Sequence, residues 1–171
     1  MEKVDKRPTK DEYYLNIAKS VALRSPCLRR KYGAVIVVND TIVSTGYNGP
    51  ARGSNNCFEL GCVKNELDLP HFSAYEYCPA VHAEENAIIN AARNGSKVLG
   101  GTLYLFGIDV TSNKPVPGMP CPRCKRSIIN AGIKEFVSID KNGNVSRIKV
   151  EEWVEEDKRS YEKIFKELVK K

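Results

Sequence analysis

Two short segments, far apart in the chain, most constrain what this sequence can fold into. The first, AVHAEEN, carries His82 and Glu84, and the second, PCPRC, carries Cys121 and Cys124. One imidazole and two thiols form a zinc ligand set that leaves the fourth tetrahedral position open for water, as in catalytic rather than structural sites. If these side chains bind one ion, the fold must bring both segments to one point.

The segment around His82 has the pattern of a helix start. The helix is predicted to run to Asn94, where Gly95 is placed as a left-handed cap, and Pro79 suits the first helical turn. This arrangement places the imidazole of His82 and the carboxylate of Glu84 near the beginning of one helix.

The cysteine pair is predicted to begin a second helix. Cys121 fits the N-cap position, Pro122 fits the first helical position, and Cys124 follows at i+3 on the same face. The positive end of the helix dipole favours thiolates, which are the form that binds metal. Two thiolates balance the charge of a zinc ion, and water bound to that ion can then ionise near neutral pH.

Each half of the pattern has an ordinary structural interpretation. A histidine near a helix start is more often a hydrogen-bonded structural residue, and Cys-x-x-Cys also occurs in redox pairs and closed zinc sites. The conjunction of His-x-Glu with Pro-Cys-x-x-Cys is narrower, because it is the signature of zinc-dependent nucleobase deaminases. On these motifs the chain resembles the cytidine/deoxycytidylate deaminase superfamily, and most closely the dCMP deaminases.

The resemblance covers roughly residues 11–139 and implies a reaction. That reaction is the zinc-dependent hydrolytic deamination of dCMP to dUMP and ammonia. In it, Glu84 carries protons between water and the base, beside a zinc ion held by three ligands. Those ligands are His82, Cys121 and Cys124.

Substrate contacts are predicted at Asn48 and Ala83. Asn48 lies in the segment GYNGP, which reads as a plain turn on composition alone, since Asn-Gly is a common turn dipeptide. The resemblance implies instead that this asparagine contacts the nucleotide, and an amide offers both a donor and an acceptor for that purpose. It also implies sensing of dCTP and dTTP by the same loop, and assembly as a homo-oligomer.

Alternative functions stay open from the sequence. Residues 107–119 are longer than the corresponding connection in relatives and border the pyrimidine pocket of this fold, so the substrate is less certain than the reaction type. The same chemistry could act on another cytosine nucleoside or nucleotide, or on a tRNA adenosine. A different class is a non-catalytic zinc-binding module that binds nucleic acid. Glu84 argues against that module, because a structural zinc site needs no proton carrier.

The element pattern predicts an α/β fold. Thr9 and Glu12 form a capping box that opens the first helix, and Asn39-Asp40 is the turn of a β-hairpin. The later predicted elements are the His82 helix, a strand at 102–106, the cysteine helix, strands at 135–139 and 145–150, and a helix from 151. The strands on either side of the cysteine helix should be parallel. A three-layer α/β/α sandwich on a mixed sheet of about five strands follows. The resemblance implies the same cytidine deaminase-like fold.

Length and composition indicate one domain spanning residues 1–171. Within it we expect a core at 11–139, a zinc-loop insertion at about 46–78 and a helical extension at about 151–171. The extension shows an apolar face, whose members are Trp153, Tyr161, Ile164, Phe165 and Leu168. The net charge of +6 suits a phosphorylated substrate or RNA without choosing between them, and nucleic acid is not the expected partner.

No signal peptide or membrane-length apolar run is visible, so a cytoplasmic protein with no membrane association is expected. Six cysteines in such a compartment should be reduced. Four of them are not assigned to the catalytic zinc: Cys27, Cys57, Cys62 and Cys78. They could be buried free thiols, but we predict that they hold a second, structural zinc, with His71 as a rival ligand.

The substrate phosphate needs a basic partner. Four arginines lie nearest the predicted site elements: Arg29, Arg30, Arg52 and Arg123. The sequence does not choose among them, since most arginines in any chain are simply solvated.

Overall fold

The computed structural model describes residues 7–71 and 73–169. Within these residues the chain forms six α-helices, eight strands and one 3-10 turn. In chain order they are α1 (Lys10–Ala22), β1 (Arg30–Val38), β2 (Thr41–Tyr47), β3 (Gly49–Pro50), α2 (Cys57–Leu60), α3 (Val63–Glu66), the 3-10 turn (Tyr75–Tyr77), β4 (Ala80–Val81), α4 (Ala83–Arg93), β5 (Thr102–Asp109), β6 (Pro115–Val116), α5 (Pro122–Asn130), β7 (Glu135–Ile139), β8 (Val145–Lys149) and α6 (Val150–Leu168).

Five strands make the main sheet, in the order β2-β1-β5-β7-β8, and the two-residue β6 pairs with the end of β5. The strands β5 and β7 are parallel, and the other neighbouring pairs are antiparallel. Because α5 connects β5 to β7, the chain crosses over and re-enters the sheet in the same direction. The predicted mixed sheet and its parallel pair are both confirmed.

Both faces of the central strands β1 and β5 are buried, as expected for the middle layer of a three-layer sandwich. Along β1, Val35 and Val37 belong to the apolar cluster that packs against α1. Their neighbours Ala34 and Ile36 point the other way, into a cluster with α4 and α5. This alternation with a period of two residues places one helical layer on each face. The predicted three-layer sandwich is confirmed.

The first helix and the first hairpin form as the sequence predicts. Thr9 and Glu12 make the capping box of α1. Asn39 and Asp40 both have positive φ, 49° and 60°, which is the backbone of a two-residue type I′ turn. The hydroxyl of Tyr14 donates to Asp40 Oδ1 at 2.6 Å and to the Asp40 carbonyl at 2.9 Å. These hydrogen bonds connect α1 to the turn.

The beginning of α4 corrects one prediction. Pro79 is not part of the helix, which starts at Ala83 with His82 as its extended N-cap. The residues between them form β4, which pairs with β3. This long-range pairing keeps the chain extended up to His82, and no pattern local to Pro79 specifies it.

The segment between β3 and β4 contains only short elements, namely α2, α3 and the 3-10 turn. We call residues 56–78 the flap. The longer connection at 107–119 is also ordered: Gly107 pairs with Val116, and the backbone N–H of Ser112 donates to Asp109 Oδ1 at 2.9 Å. This connection is therefore a short hairpin that continues β5.

Helix α6 leaves the domain after two turns. The ring of Trp153 is buried against Phe136, with centroids 5.2 Å apart. Every side chain from 155 to 169 is exposed. The exposed set includes four members of the predicted apolar face: Tyr161, Ile164, Phe165 and Leu168. Neither α6 nor any other helix in the described part of the chain is long and apolar enough to cross a membrane.

Candidate active site

Two helix N-termini meet on one face of the sheet. His82 is the N-cap of α4, and Cys121 is the N-cap of α5 with Pro122 as the first helical residue, as predicted. The Nδ1 atom of His82 lies 3.6 Å from Cys121 Sγ and 3.3 Å from Cys124 Sγ. Among the described residues, these three form the group of histidine, cysteine and acidic side chains whose ligand atoms converge within 4.8 Å.

The spacing of these atoms fits zinc. Tetrahedral zinc has Zn–S bonds of about 2.3 Å and Zn–N bonds of about 2.0–2.1 Å, which place the sulfur and nitrogen about 3.6 Å apart. The two observed distances between His82 Nδ1 and the sulfurs are 3.6 and 3.3 Å. Two thiols and one imidazole also match the ligand preference of zinc, and three protein ligands leave one position open.

The pKa values of His82, Cys121 and Cys124 depend on one another through hydrogen bonds. A hydrogen bond from Cys124 and another with His82 lower the pKa of the Cys121 thiol to about 3, against the opposing effect of burial. The same bond with Cys121, together with burial, raises the pKa of Cys124. The hydrogen bond with Cys121 raises the pKa of His82. The backbone N–H of Cys124 also points at Cys121 Sγ, at 3.5 Å, so the helix start itself favours a thiolate there.

Glu84 is the second residue of α4 and is almost fully buried. Burial raises the pKa of its carboxyl to about 7, although its own backbone N–H and His82 act in the opposite direction. A carboxyl group with a pKa near neutrality is suited to both taking and giving a proton. The predicted proton carrier therefore lies beside the predicted metal ligands.

Close backbone contact with β2 fixes the position of α4. A Cβ atom on Gly46 would lie 2.3 Å from Ala87 N and 2.6 Å from Ala83 O, so only glycine allows this approach. Next to it, the hydroxyl of Ser44 donates to the Ala87 carbonyl at 2.6 Å. The helix that carries His82 is thus in direct contact with the backbone of the sheet.

Two asparagine amides complete the attachment of α4. Asn86 Nδ2 donates to the Tyr47 carbonyl, and Asn90 Nδ2 donates to the Thr45 carbonyl, each at 2.8 Å. Both acceptors lie on β2, the edge strand of the sheet. These amides occupy carbonyls that an edge strand would otherwise present to another chain.

A cavity of about 320 Å³ opens over this group. Its lining includes Glu84, Cys121 and residues of the flap. Its lining also includes Ala83, the buried first residue of α4 that was predicted to bind substrate. A volume of this size is that of a small-molecule site.

A family model described as the cytidine and deoxycytidylate deaminase zinc-binding region matches residues 8–139. The chain belongs to this family. The match contains every element that positions the metal ligands, from α1 to β7.

Individual relatives agree with the family. This deaminase-family chain is 34% identical over 131 residues to the deoxycytidylate deaminase of Schizosaccharomyces pombe, in a match that covers 77% of this chain and 37% of the yeast protein. It is 37% identical over 136 residues to the deoxycytidylate deaminase of Mycobacterium phage D29, covering 77% of this chain and 94% of the phage protein. The chain therefore spans little more than a third of the yeast relative and most of the phage relative.

A solved relative has the same fold. The crystal structure of dCMP deaminase from the cyanophage S-TIM5, in complex with dCMP and dUMP, is 26% identical with a TM-score of 0.57. The superposition covers 78% of this chain and 82% of the cyanophage chain. The fold of this family member is therefore that of a cytidine deaminase-like protein.

Asn48 lines the cavity of this family member, but its side chain already has several partners. Its Oδ1 accepts from the Tyr32 backbone N–H at 2.7 Å and from the Ser25 hydroxyl at 2.8 Å, and its Nδ2 donates to the Arg30 carbonyl at 2.9 Å. One N–H of the amide remains for a ligand. The structure thus adds a local structural role that the sequence did not predict.

The four further cysteines all line the same cavity. Burial raises the pKa of Cys57, and the nearby Cys27, Cys78 and Cys62 raise it further. In the part of the chain that the structure describes, no three of these sulfurs lie within 4.8 Å of one another, with or without His71. The second zinc stays a prediction.

The structure separates the four candidate arginines. Arg29 and Arg30 line the cavity. Arg52 donates to the side chain of Asn90, and Arg123, whose side chain is 82% exposed, forms an ion pair with Glu85 at 2.9 Å. The first two are therefore the arginines placed to meet a ligand.

Sequence reasoning missed several residues of the cavity, among them Tyr32, Lys64 and Tyr75. The ring of Tyr75 lies 5.6 Å from the imidazole of His82, centroid to centroid. None of the three has a spacing or motif that marks it, because each reaches the cavity through the tertiary placement of β1 or the flap.

Proposed function

We propose that this chain catalyses the hydrolytic deamination of dCMP to dUMP and ammonia. The observation that carries the proposal is a buried carboxyl, Glu84, beside three converging zinc-type ligands at the base of a cavity with basic side chains. The names of the S. pombe and phage D29 relatives support dCMP as the substrate, as does the cyanophage structure with dCMP and dUMP.

His82, Cys121 and Cys124 would hold the zinc ion. When bound, zinc acts as a Lewis acid that makes water a better nucleophile near neutral pH. Glu84 takes one proton from the attacking water and gives it to N3 of the pyrimidine. With the water oxygen now bonded to C4, Glu84 takes the second proton from that oxygen and delivers it to the amino group as the C4–N bond breaks, so the products are a C4 carbonyl and ammonia. The near-neutral pKa of Glu84, about 7, suits both directions of transfer.

Arg29 is the best-placed arginine for the substrate phosphate. Its Nη2 donates to the Leu69 carbonyl at 2.8 Å, which holds the guanidinium against the flap. Its Nη1 is buried and has no hydrogen-bond partner among the described residues. A buried donor without a partner is costly, and a phosphate oxygen would satisfy it.

Several finer features belong to the same proposal. We take residues 1–171 as one deaminase domain that is cytoplasmic and assembles as a homo-oligomer, with dCTP and dTTP as regulators at the loop containing Asn48. A second, structural zinc would be held by the four cysteines of the cavity, with His71 as the rival ligand. All four of these cysteines line one cavity, which supports this second site.

The proposal is tested by an absorbance assay of deamination with dCMP, CMP, dCTP, deoxycytidine, cytidine and cytosine. We expect dCMP to have the highest kcat/KM and to exceed deoxycytidine at least tenfold, since a charge-assisted contact contributes about 1.5–3 kcal/mol. Equal use of deoxycytidine would remove dCMP from first place. Activity on a tRNA adenosine instead would favour a nucleic-acid substrate. The absence of activity on all of these compounds would favour the alternative of a non-catalytic zinc-binding module.

A further inference from the structure

The flap carries a buried lysine. Lys64, on α3, is 8% exposed and lines the cavity. Nζ donates to the Ser73 carbonyl at 2.6 Å and lies 5.5 Å from the centre of the Tyr75 ring. Both contacts are with residues of the flap, so the ammonium is held in place by the segment that carries it.

No anion balances this charge in the part of the chain that the structure describes. Lys64 forms no ion pair there, although nine other ion pairs are present. Glu66, two residues further on, also lines the cavity, but it is exposed and forms no ion pair with Lys64. One carbonyl and one aromatic face satisfy only part of an ammonium, which has three donors. A buried charge without a counter-ion is unfavourable, so an anionic ligand is the expected complement.

The other cationic groups near Lys64 favour an anionic ligand that carries more than one negative charge. Arg29 and Arg30 line the same cavity, and both, together with Lys64, lower the pKa of His71 after burial. Several cationic groups thus surround one small volume. A phosphate monoester, with about two charges and three acceptor oxygens at pH 7, fits this environment better than a neutral nucleoside.

We propose that Lys64 is the specificity-determining residue by which this chain distinguishes a nucleotide from the corresponding nucleoside. This inference rests on the proposed function for the identity of the nucleotide. Lys64 contacts the phosphate and not the reacting atoms. Its contribution is therefore confined to substrates that carry a phosphate.

The test compares Lys64→Met with wild type on dCMP and on deoxycytidine. Methionine keeps the length and apolar stem, and Lys141→Met, at an exposed turn, is the matched control. We expect kcat/KM for dCMP to fall at least tenfold in Lys64→Met, with deoxycytidine unchanged within about twofold, because only a charged contact is lost. Lys141→Met should match wild type on both. An equal fall on both substrates, or no fall on dCMP, would overturn the inference.

A second measurement does not depend on turnover. Inorganic phosphate should raise the Tm of wild type and of Lys141→Met, relative to chloride at the same ionic strength, and should raise that of Lys64→Met by less than half as much. Without phosphate, the Tm of Lys64→Met should be no lower than that of wild type, since an unbalanced buried charge has been removed. An identical phosphate shift in Lys64→Met overturns the inference, whichever substrate the enzyme uses. A wild type that ignores dCMP but shows this difference would refute only the proposed function.

Discussion

Gly46→Ala should disable the site by displacing α4, although Gly46 itself does not line the cavity. The new Cβ would lie 2.3 Å from Ala87 N and 2.6 Å from Ala83 O. Ordinary contact begins near 3.4 Å, and both atoms belong to a helix backbone that cannot rotate aside. Helix α4 must therefore retreat from β2 by about 1 Å, which is the scale of misplacement that can cost about 10²-fold in rate.

The matched control is Gly33→Ala, on the opposite face of the sheet. Its Cβ would lie 2.2 Å from Ala18 O and 2.3 Å from Ala22 N, so α1 meets the same steric conflict. Overpacking of this kind costs about 1–3 kcal/mol, or roughly 2–12 °C in Tm for a chain of this size. We expect both variants to lose stability by similar amounts. Only Gly46→Ala displaces the helix that carries Glu84.

The assay measures Tm, zinc content and kcat for dCMP at a temperature where both variants are folded. Gly46→Ala should lose zinc affinity and about 10²-fold in kcat, while Gly33→Ala should keep kcat within about threefold of wild type. If both variants lose activity in proportion to stability, the position of α4 is not what limits the reaction. If Gly46→Ala keeps full activity, the steric reasoning itself is wrong.

Three further predictions concern single side chains. Glu84→Gln should retain zinc but lose about 10²–10⁴-fold or more in kcat, because the proton carrier is absent; turnover near the wild-type rate would refute its role. Metal analysis should give two zinc ions per chain, falling to one when Cys57 and Cys62 are replaced by serine, and a firm value of one in wild type would exclude the second site. Tyr14→Phe removes the hydrogen bonds to Asp40 and should lower the unfolding free energy by about 1–3 kcal/mol, measured by urea denaturation, with kcat unchanged. An unchanged urea midpoint would show that solvent replaces those bonds without loss.

The candidate metal ligands could be identified from sequence because their chemistry is local. His82, Cys121 and Cys124 carry donor atoms that few other residue types provide, and the N-cap position of Cys121 follows from the proline after it. The hairpin at Asn39 was predictable for a similar reason, since residues that tolerate positive φ mark such turns. In these cases the physical cause lies within a few residues of its effect.

The remaining features depend on contacts between distant segments. The start of α4 after Pro79 is set by the pairing of β4 with β3, which no local pattern contains. The amide of Asn48 was predicted to contact substrate. Its hydrogen-bond partners in the structure are Ser25, in the connection between α1 and β1, and the backbone of Arg30 and Tyr32 on β1. In the sequence, nothing distinguishes Lys64 from a surface lysine, because its burial depends on the tertiary packing of the flap around the cavity.

The exposure of the C-terminal part of α6 determines where a protease should cut the chain first. From residue 155 to 168 every side chain of the helix is exposed, and two ion pairs, Lys125–Glu156 and Arg126–Asp157, link the start of this segment to α5. Isolated helices of about 12–15 residues are marginal in water, so this segment should unfold and refold locally at little free-energy cost. Trypsin should therefore cut first at Lys158, Arg159, Lys163 and Lys166. The fragment that ends there keeps Trp153 in the core and should refold as well as the whole chain.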